Sequence, residues 1–304
     1  MTKAARNAAA SIRQQLANHA RATRQDFQTV LFRYGVERLL YRIGESPHSE
    51  RFVLKGATLF IVWGAAVHRP TRDLDLLGFG NSEVEAVCQD FREILAVPAH
   101  GDGIVFQPET VRGDAIRKGK GYQGVRLKLR ATLEGAKIPI QVDVGFGDVV
   151  VPNPQLGPFP SLLDLPLPQV RLYPREVVVA EKFEAMVALG DTNSRMKDFF
   201  DLWVISGSFG FSGRDLQAAV EATFTRRGTA LPTATPVALT PAFFADTKVV
   251  GWWSAFLSKI GQPGLHVALA DVAVSLATFL MPIAVACQRE RPLASVWQPG
   301  GPWQ

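Results

Sequence analysis

The sequence predicts an α/β protein, with a strand-bearing N-terminal part and a helical C-terminal part joined by a proline-rich connection. Three observations predict it. Residues 73–76 and 122–144 alternate polar and apolar side chains with the period of two that a half-buried strand requires. Residues 3–43, and the chain beyond Pro174, repeat apolar side chains at the spacing of three and four that gives a helix one buried face. Between these regions Pro152, Pro154, Pro158, Pro160, Pro166 and Pro168 stiffen 151–174 into an extended connection. The expected division is therefore 1–150, a connection at 151–174, and a helical domain at 175–304.

Taken in order, Ile12, Leu16 and Ala20, then Phe27, Leu31 and Tyr34, then Leu39 and Leu40 mark helices, with Gly35 expected to break them. Gly44-Glu45-Ser46-Pro47 reads as a turn. Phe52-Val53-Leu54 leads into Lys55-Gly56-Ala57-Thr58-Leu59, a glycine turn opening a helix over 56–66. Thr71-Arg72-Asp73-Leu74-Asp75-Leu76 is a strand, and Ser82 is the expected N-cap of a helix over 83–95. Val125, Leu127, Leu129, Ala131 and Leu133 alternate with Arg126, Lys128, Arg130 and Thr132. After a turn at Glu134–Lys137, Ile138, Ile140, Val142 and Val144 alternate with Gln141 and Asp143, which together form a hairpin. Pro174-Arg175-Glu176 starts a helix carrying Val178, Lys182, Ala185 and Leu189, and Arg195 to Trp203 forms the next. The apolar run Val272–Gln288 is shorter than a membrane span of ~20 residues and contains Pro282, so it reads as a buried core helix. The tail Gln298–Gln304, rich in Gly and Pro, is expected to be loose.

Composition narrows the class. With 47% apolar and 20% charged residues in 304, the chain can bury a sizeable core. Its net charge of +5 is uneven, with twelve Lys/Arg against four acids in residues 1–72 and eight against two between Arg112 and Lys137. Clustered cations suit a polyanion such as nucleic acid, and equally a solvated surface. Cys88 and Cys287 are too far apart to suggest a disulfide or zinc pattern, and the five histidines lack metal-ligand spacing. These features fit a reducing cytoplasm. The Arg- and Ala-rich N-terminus lacks the apolar core of a secretory signal and reads as part of the fold.

The chemistry centres on Asp73 and Asp75. Separated by one residue on a strand, they share a face while Leu74 and Leu76 enter the core. Two carboxylates beside the Gly56 turn make a site for Mg²⁺ and a triphosphate, because Mg²⁺ takes one or two carboxylates and completes its shell with water and phosphate oxygens. Asp143 falls on the polar side of the hairpin with Arg126, Lys128 and Arg130, which makes it the natural third carboxylate and the three cations a candidate RNA cradle. Lys182, among apolar neighbours, is either a snorkelling lysine or a charge aimed at phosphate. Asp198 and Asp201 share a helix face, and surface pairing, for example Lys197 with Asp201, would also explain them.

Several stretches together resemble the AbiEii/AbiGii-type nucleotidyltransferase toxin family, relatives of DNA polymerase β-like nucleotidyltransferases. They are Phe52-Val53-Leu54-Lys55-Gly56-Ala57, Thr71-Arg72-Asp73-Leu74-Asp75, Val179-Ala180-Glu181-Lys182-Phe183-Glu184-Ala185, and Asn193-Ser194-Arg195-Met196-Lys197-Asp198-Phe199-Phe200-Asp201-Leu202. Leu239-Thr240-Pro241 to Trp253-Ser254-Ala255-Phe256-Leu257 resembles the family's C-terminal part, so the likeness spans roughly 30–285. It implies an N-terminal mixed sheet with flanking helices and a helical C-terminal lobe. It also implies Mg²⁺ on Asp73 and Asp75, Lys182 on the triphosphate, and Asp198 in catalysis, either orienting the acceptor or anchoring Lys182. Gly56, Thr58 and Arg72 complete the nucleotide-binding candidates. Where the family has Gly-Ser or Gly-Gly, this chain has Gly56-Ala57, so Thr58 or backbone N–H groups must serve the phosphate. The expected activity is transfer of a nucleoside monophosphate from an NTP to RNA, with a tRNA 3′ end as acceptor. The expected setting is a cytoplasmic toxin with a cognate antitoxin in phage defence, and no membrane partner. The alternatives are a small-molecule nucleotidyltransferase of the antibiotic-modifying kind and a non-catalytic nucleic-acid-binding protein that kept the fold.

Overall fold

The computed structural model describes residues 3–65, 71, 73–117, 123–260 and 265–304. The chain forms two compact units. The first holds residues up to Gly64, with Thr71–Gly147 and Gln155–Leu172; the second holds Ala65, Asp148–Pro154 and Tyr173–Gln304.

The first unit is a mixed sheet with helices. Its strands are β1 (Phe52–Lys55), β2 (Leu74–Gly78), β3 (Ile104–Arg117), β4 (Gln123–Leu133), β5 (Ala136–Phe146), β6 (Gln155–Pro158) and β7 (Gln169–Leu172). Among the described residues their order is β3-β4-β5-β2-β1-β7-β6. The pairs β2/β5 and β1/β7 are parallel, and β1/β2, β3/β4, β4/β5 and β6/β7 are antiparallel. The helices are α1 (Lys3–Thr23), α2 (Phe27–Glu45), the single turn α3 (Leu59–Val62) and α4 (Val84–Ala96). The alternating apolar residues of β4 and β5, from Val125 to Val144, are at most 2% exposed, and α2 and α4 pack against the sheet.

Gly35 does not break the helix as expected; it lies inside α2. A Cβ there would stand 2.9 Å from Ile138 Cγ2 and 3.2 Å from Ile140 Cδ1, so the missing side chain lets the helix close on β5. The break falls earlier, where Asp26 caps α2 by accepting from Thr29 N at 2.9 Å. The expected 56–66 helix is also shorter: a 3₁₀ turn at Gly56–Thr58 and then α3. Helix α4 has Glu83, not Ser82, as its N-cap residue, and Asn81 Oδ1 accepts from the Glu83 N–H at 3.0 Å.

The β4–β5 hairpin turns at Glu134-Gly135, both left-handed (φ 44° and 77°), as a two-residue turn matched to strand twist requires. The proline-rich stretch contributes β6 and β7, two short strands at one edge of the sheet, where proline is tolerated. Buried groups of α2 hold the loop between them. Glu37 accepts from Ser161 Oγ at 2.6 Å and Leu162 N at 2.8 Å, and Arg38 donates to Pro166 O at 2.8 Å. Burial pushes the Glu37 carboxyl above its usual range, against these hydrogen bonds, which favour the charged form.

The second unit contains α5 (Arg175–Leu189), α6 (Met196–Ser208), α7 (Gly213–Arg227), α8 (Pro241–Ala245), α9 (Thr247–Ile260) and α10 (Leu269–Gln288), with β8 (Phe211–Ser212) paired to β9 (Val296–Trp297). Helix α10 starts three residues before the expected 272 and reaches 20 residues, the length of a membrane span, and it contains Pro282. Length therefore does not separate it from a span; its surroundings do. Val272, Leu276, Phe279, Leu280 and Ile283 are fully buried, and the helix packs against α6 and α7. The tail is docked, contrary to expectation. Trp303 stacks on Phe279 at 5.9 Å between centroids and donates to Phe279 O at 3.0 Å. Val296 and Gln304 exchange backbone hydrogen bonds at 2.8 and 3.0 Å. Trp303, packed on Phe279 and on Trp297 just before the segment, gives this Gly/Pro-rich tail enough apolar area to offset its ordering entropy.

Candidate active site

A charged row crosses one face of the sheet. Lys55 of β1 stands opposite Asp75 of β2, which stands opposite Asp143 of β5. Asp143 is opposite Arg126 of β4, which is opposite Asp114 of β3. Because neighbouring residues point to opposite faces, this register brings the row together while Leu74, Leu76, Val142 and Val144 stay in the core.

Asp73, Asp75 and Asp143 each present a carboxylate oxygen, and these atoms lie within 4.8 Å of one another. At an effective dielectric near 20, each pair of charges repels by about 3 kcal/mol. That repulsion favours a cation beside the cluster, a role Arg126 fills in part through Asp143. Opposite oxygens around one octahedral Mg²⁺ are about 4.1 Å apart, so the carboxylates stand close to the separation an ion would impose. In donor type and spacing they fit a divalent ion.

Each carboxylate is aimed by its surroundings. Asp75 presses on Gly56, whose φ is +75°; a Cβ on Gly56 would sit 2.1 Å from Asp75 Oδ2. The glycine turn thus makes room for the carboxylate as well as bending the chain. Thr71 Oγ1 donates to Asp73 Oδ1 at 2.6 Å. Asp143 is held by a two-pronged arginine contact, with Arg126 Nε on Oδ1 at 2.8 Å and Nη2 on Oδ2 at 2.6 Å. Gln141 Nε2 adds a longer contact to Oδ1 at 3.3 Å. The hydrogen bond to Asp143, opposed by partial burial and helped by the charges of Asp143, Asp73 and Asp75, raises the Arg126 pKa. Arg126 is therefore the built-in counter-ion of the cluster, whereas Lys128 and Arg130 on the same side of β4 are exposed. Lys128 Nζ is 3.9 Å from Asp114 Oδ2. Thr58 is buried in its 3₁₀ turn, at 3% exposure, and Arg72 lies outside the described residues.

In the second unit Lys182 of α5 bridges two carboxylates of α6, with Nζ 2.7 Å from both Asp198 Oδ1 and Asp201 Oδ2. Arg195 Nε lies 2.5 Å from Asp198 Oδ2. Burial opposes the charge on Lys182, but Asp198 and Asp201 more than reverse it and raise its pKa. Burial likewise opposes the charge on Asp198, yet Lys182 and Arg195 hold its pKa below the usual range. Asp198 thus anchors Lys182. Asp201 does so equally, a buried contact beyond the helix-surface pairing considered from sequence. Arg195 and Thr71 were missed as individual site residues. Their signals were local: Arg195 lies three residues before Asp198, and Thr71 two before Asp73.

No protein of curated function matches the sequence. Two solved Helicobacter pylori structures resemble the chain. JHP933 is 14% identical, with a TM-score of 0.47 over 87% of this chain and 95% of that one. The other, described provisionally as a nucleotidyltransferase, is 15% identical, with a TM-score of 0.45 over 88% of this chain and 99% of that one. Residues 38–272, which include every site residue named above, match the nucleotidyl transferase AbiEii toxin family of type IV toxin–antitoxin systems. The chain belongs to the AbiEii family and is a nucleotidyltransferase toxin.

Proposed function

We propose that the chain moves a nucleoside monophosphate from an NTP to a hydroxyl of RNA, with a tRNA 3′ end as the favoured acceptor, and releases pyrophosphate in a Mg²⁺-dependent reaction. The observation that carries this reading is the trio Asp73, Asp75 and Asp143, within 4.8 Å of one another beside the Gly56 turn. Family membership implies the NTP and a cognate antitoxin; the RNA acceptor, a role in phage defence and a cytoplasmic setting belong to this proposal.

In this reading Asp73, Asp75 and Asp143 would hold Mg²⁺, with Arg126 keeping the Asp143 carboxylate aimed at the site. Mg²⁺ bound there neutralises phosphate charge and favours deprotonation of the acceptor hydroxyl. The Gly56 turn and Arg72 receive the triphosphate. Thr58 is too buried to be a ready hydroxyl donor, so backbone N–H groups of the turn serve instead. Lys182 has three N–H donors; Asp198 and Asp201 take two, which leaves one to direct at a phosphate oxygen. Lys182 and Arg195 together balance the charge of Asp198 and Asp201, so Lys182 acts as a positioned donor more than as a source of net field. The α10 surroundings described above support a protein without a membrane-spanning segment in the described residues.

The test is incubation of the protein with each labelled NTP, Mg²⁺ and total RNA, followed by gel separation and 3′-end sequencing of labelled species. Label in tRNA 3′ ends supports the reading. Label only in small molecules would assign the antibiotic-modifying type of acceptor instead.

A further inference from the structure

The second unit contains a cavity of about 510 Å³ between the start of α6 and the C-terminal half of α9. Its walls bring three cations (Arg195, Lys197 and Lys259) together with the aromatic rings of Trp252 and Phe256, and no carboxylate is among the lining residues. The arrangement follows from α9. Lys248, Trp252, Phe256 and Lys259 recur at spacings of four, four and three, so they form one stripe along the helix. The neighbouring Trp253 is buried and donates Nε1–H to Val267 O at 2.8 Å, whereas Trp252 stays half-exposed. Lys248 Nζ sits 4.9 Å from the Trp252 ring centre, and Phe256 meets Phe200 edge-on at 5.5 Å, which fixes both rings of the stripe.

Cations flanking an accessible aromatic surface are what an unpaired nucleotide strand requires. Bases stack on the rings with little regard to sequence, and phosphates meet the lysines and arginine. The eleven residue steps from Lys248 to Lys259 span roughly 16 Å of helix, more than a single nucleotide covers. We propose that this cavity is a subsite for single-stranded RNA, where one unpaired base stacks on Trp252 and flanking phosphates contact Lys259, Lys197 and Arg195. It rests on the reading that the acceptor is RNA and adds where a single-stranded part of that acceptor is gripped. Arg195 also pairs with Asp198, so the same side chain belongs to both the subsite and the Lys182 cluster.

The test is fluorescence anisotropy of a labelled single-stranded RNA octamer in EDTA without NTP, across a salt series. Trp252→Ala should weaken octamer binding tenfold or more, while Trp252→Phe keeps affinity within about threefold because it keeps a stacking ring. Lys259→Ala should lower the salt slope by ~0.7. Melting temperatures of the three variants check folding. Unchanged octamer affinity in a folded Trp252→Ala protein overturns the subsite. In the transfer assay, a raised KM for NTP with an unchanged KM for RNA would hand the cavity to the free nucleotide and overturn the RNA assignment. The two proposals fail separately: a wild type that labels no RNA sinks RNA transfer, whereas a wild type that labels RNA with an octamer-indifferent Trp252→Ala sinks only the subsite.

Discussion

Gly56 links backbone conformation to chemistry at a single position. Its φ of +75° and the 2.1 Å approach of Asp75 Oδ2 leave no space for a Cβ. Gly56→Ala should therefore cost about 1–2 kcal/mol for the left-handed backbone, displace the Asp75 carboxylate, and abolish transfer. Thermal melting and the labelled-NTP assay check this, and full turnover by Gly56→Ala would contradict it. Lys182 is the second sensitive residue. Among apolar neighbours it reads from sequence as a snorkelling lysine or a charge aimed at phosphate, but its ammonium is the shared cation of two buried carboxylates. Lys182→Met should destabilise by about 3–5 kcal/mol, readable as a large drop in the denaturation midpoint; an unchanged midpoint would show that the pair is not structural. Its pH dependence has a definite sign. The raised Lys182 pKa contributes stability that is complete below its unfolded value, near 10.4, and is lost only as pH rises through the higher folded value. The lowered Asp198 pKa contributes stability present above about 3.9 and lost as pH falls through its folded value. The cluster's contribution should thus be flat between roughly pH 5 and 9 and decline outside that window.

At the scale of elements, the β4–β5 hairpin divides its cations into two kinds. Arg126 is committed to Asp143, whereas Lys128 and Arg130 are exposed on the same side. If that side carries RNA, Lys128→Ala and Arg130→Ala should each lower the salt slope of RNA binding by ~0.7, and Arg126→Ala by clearly less. Equal slopes for all three variants and wild type would move RNA away from this strand. What the sequence made legible follows the same division. The shared face of Asp73 and Asp75 follows from a period of two. The pairing of Arg126 with Asp143 does not follow from the expected turn at Glu134–Lys137, which would set Lys128 opposite Asp143; the two-residue turn at Glu134-Gly135 sets Arg126 there instead. Strand β3 went unread because its alternation is interrupted by a register shift between Gln107 and Arg112, beside Pro108. Strands β6 and β7 are only four residues each and sit among prolines. The grip of Asp201 on Lys182 depends on which faces of α5 and α6 meet, and that is decided by tertiary packing, not by local periodicity.

For the whole molecule, the basic N-terminal stretch and the acidic cluster gave opposite cues, one toward a polyanion and the other toward a cation. The proposed reaction, which uses Mg²⁺, NTP and RNA, would reconcile them. The division at 151–174 rested on proline content; two segments of that stretch add strands to the first unit, and Asp148–Pro154 clusters with the second. Proline stiffens a chain without saying which core it joins. The central claim is that the Asp73–Asp75–Asp143 trio is a metal-dependent transfer centre and not a structural charge cluster. The most direct measurement pairs labelled-nucleotide incorporation into RNA with thermal melting for wild type and Asp75→Asn at saturating Mg²⁺. The predicted result is loss of incorporation by three orders of magnitude or more, roughly 4 kcal/mol of barrier, with an unaltered melting temperature. Incorporation by Asp75→Asn at the wild-type rate would contradict it.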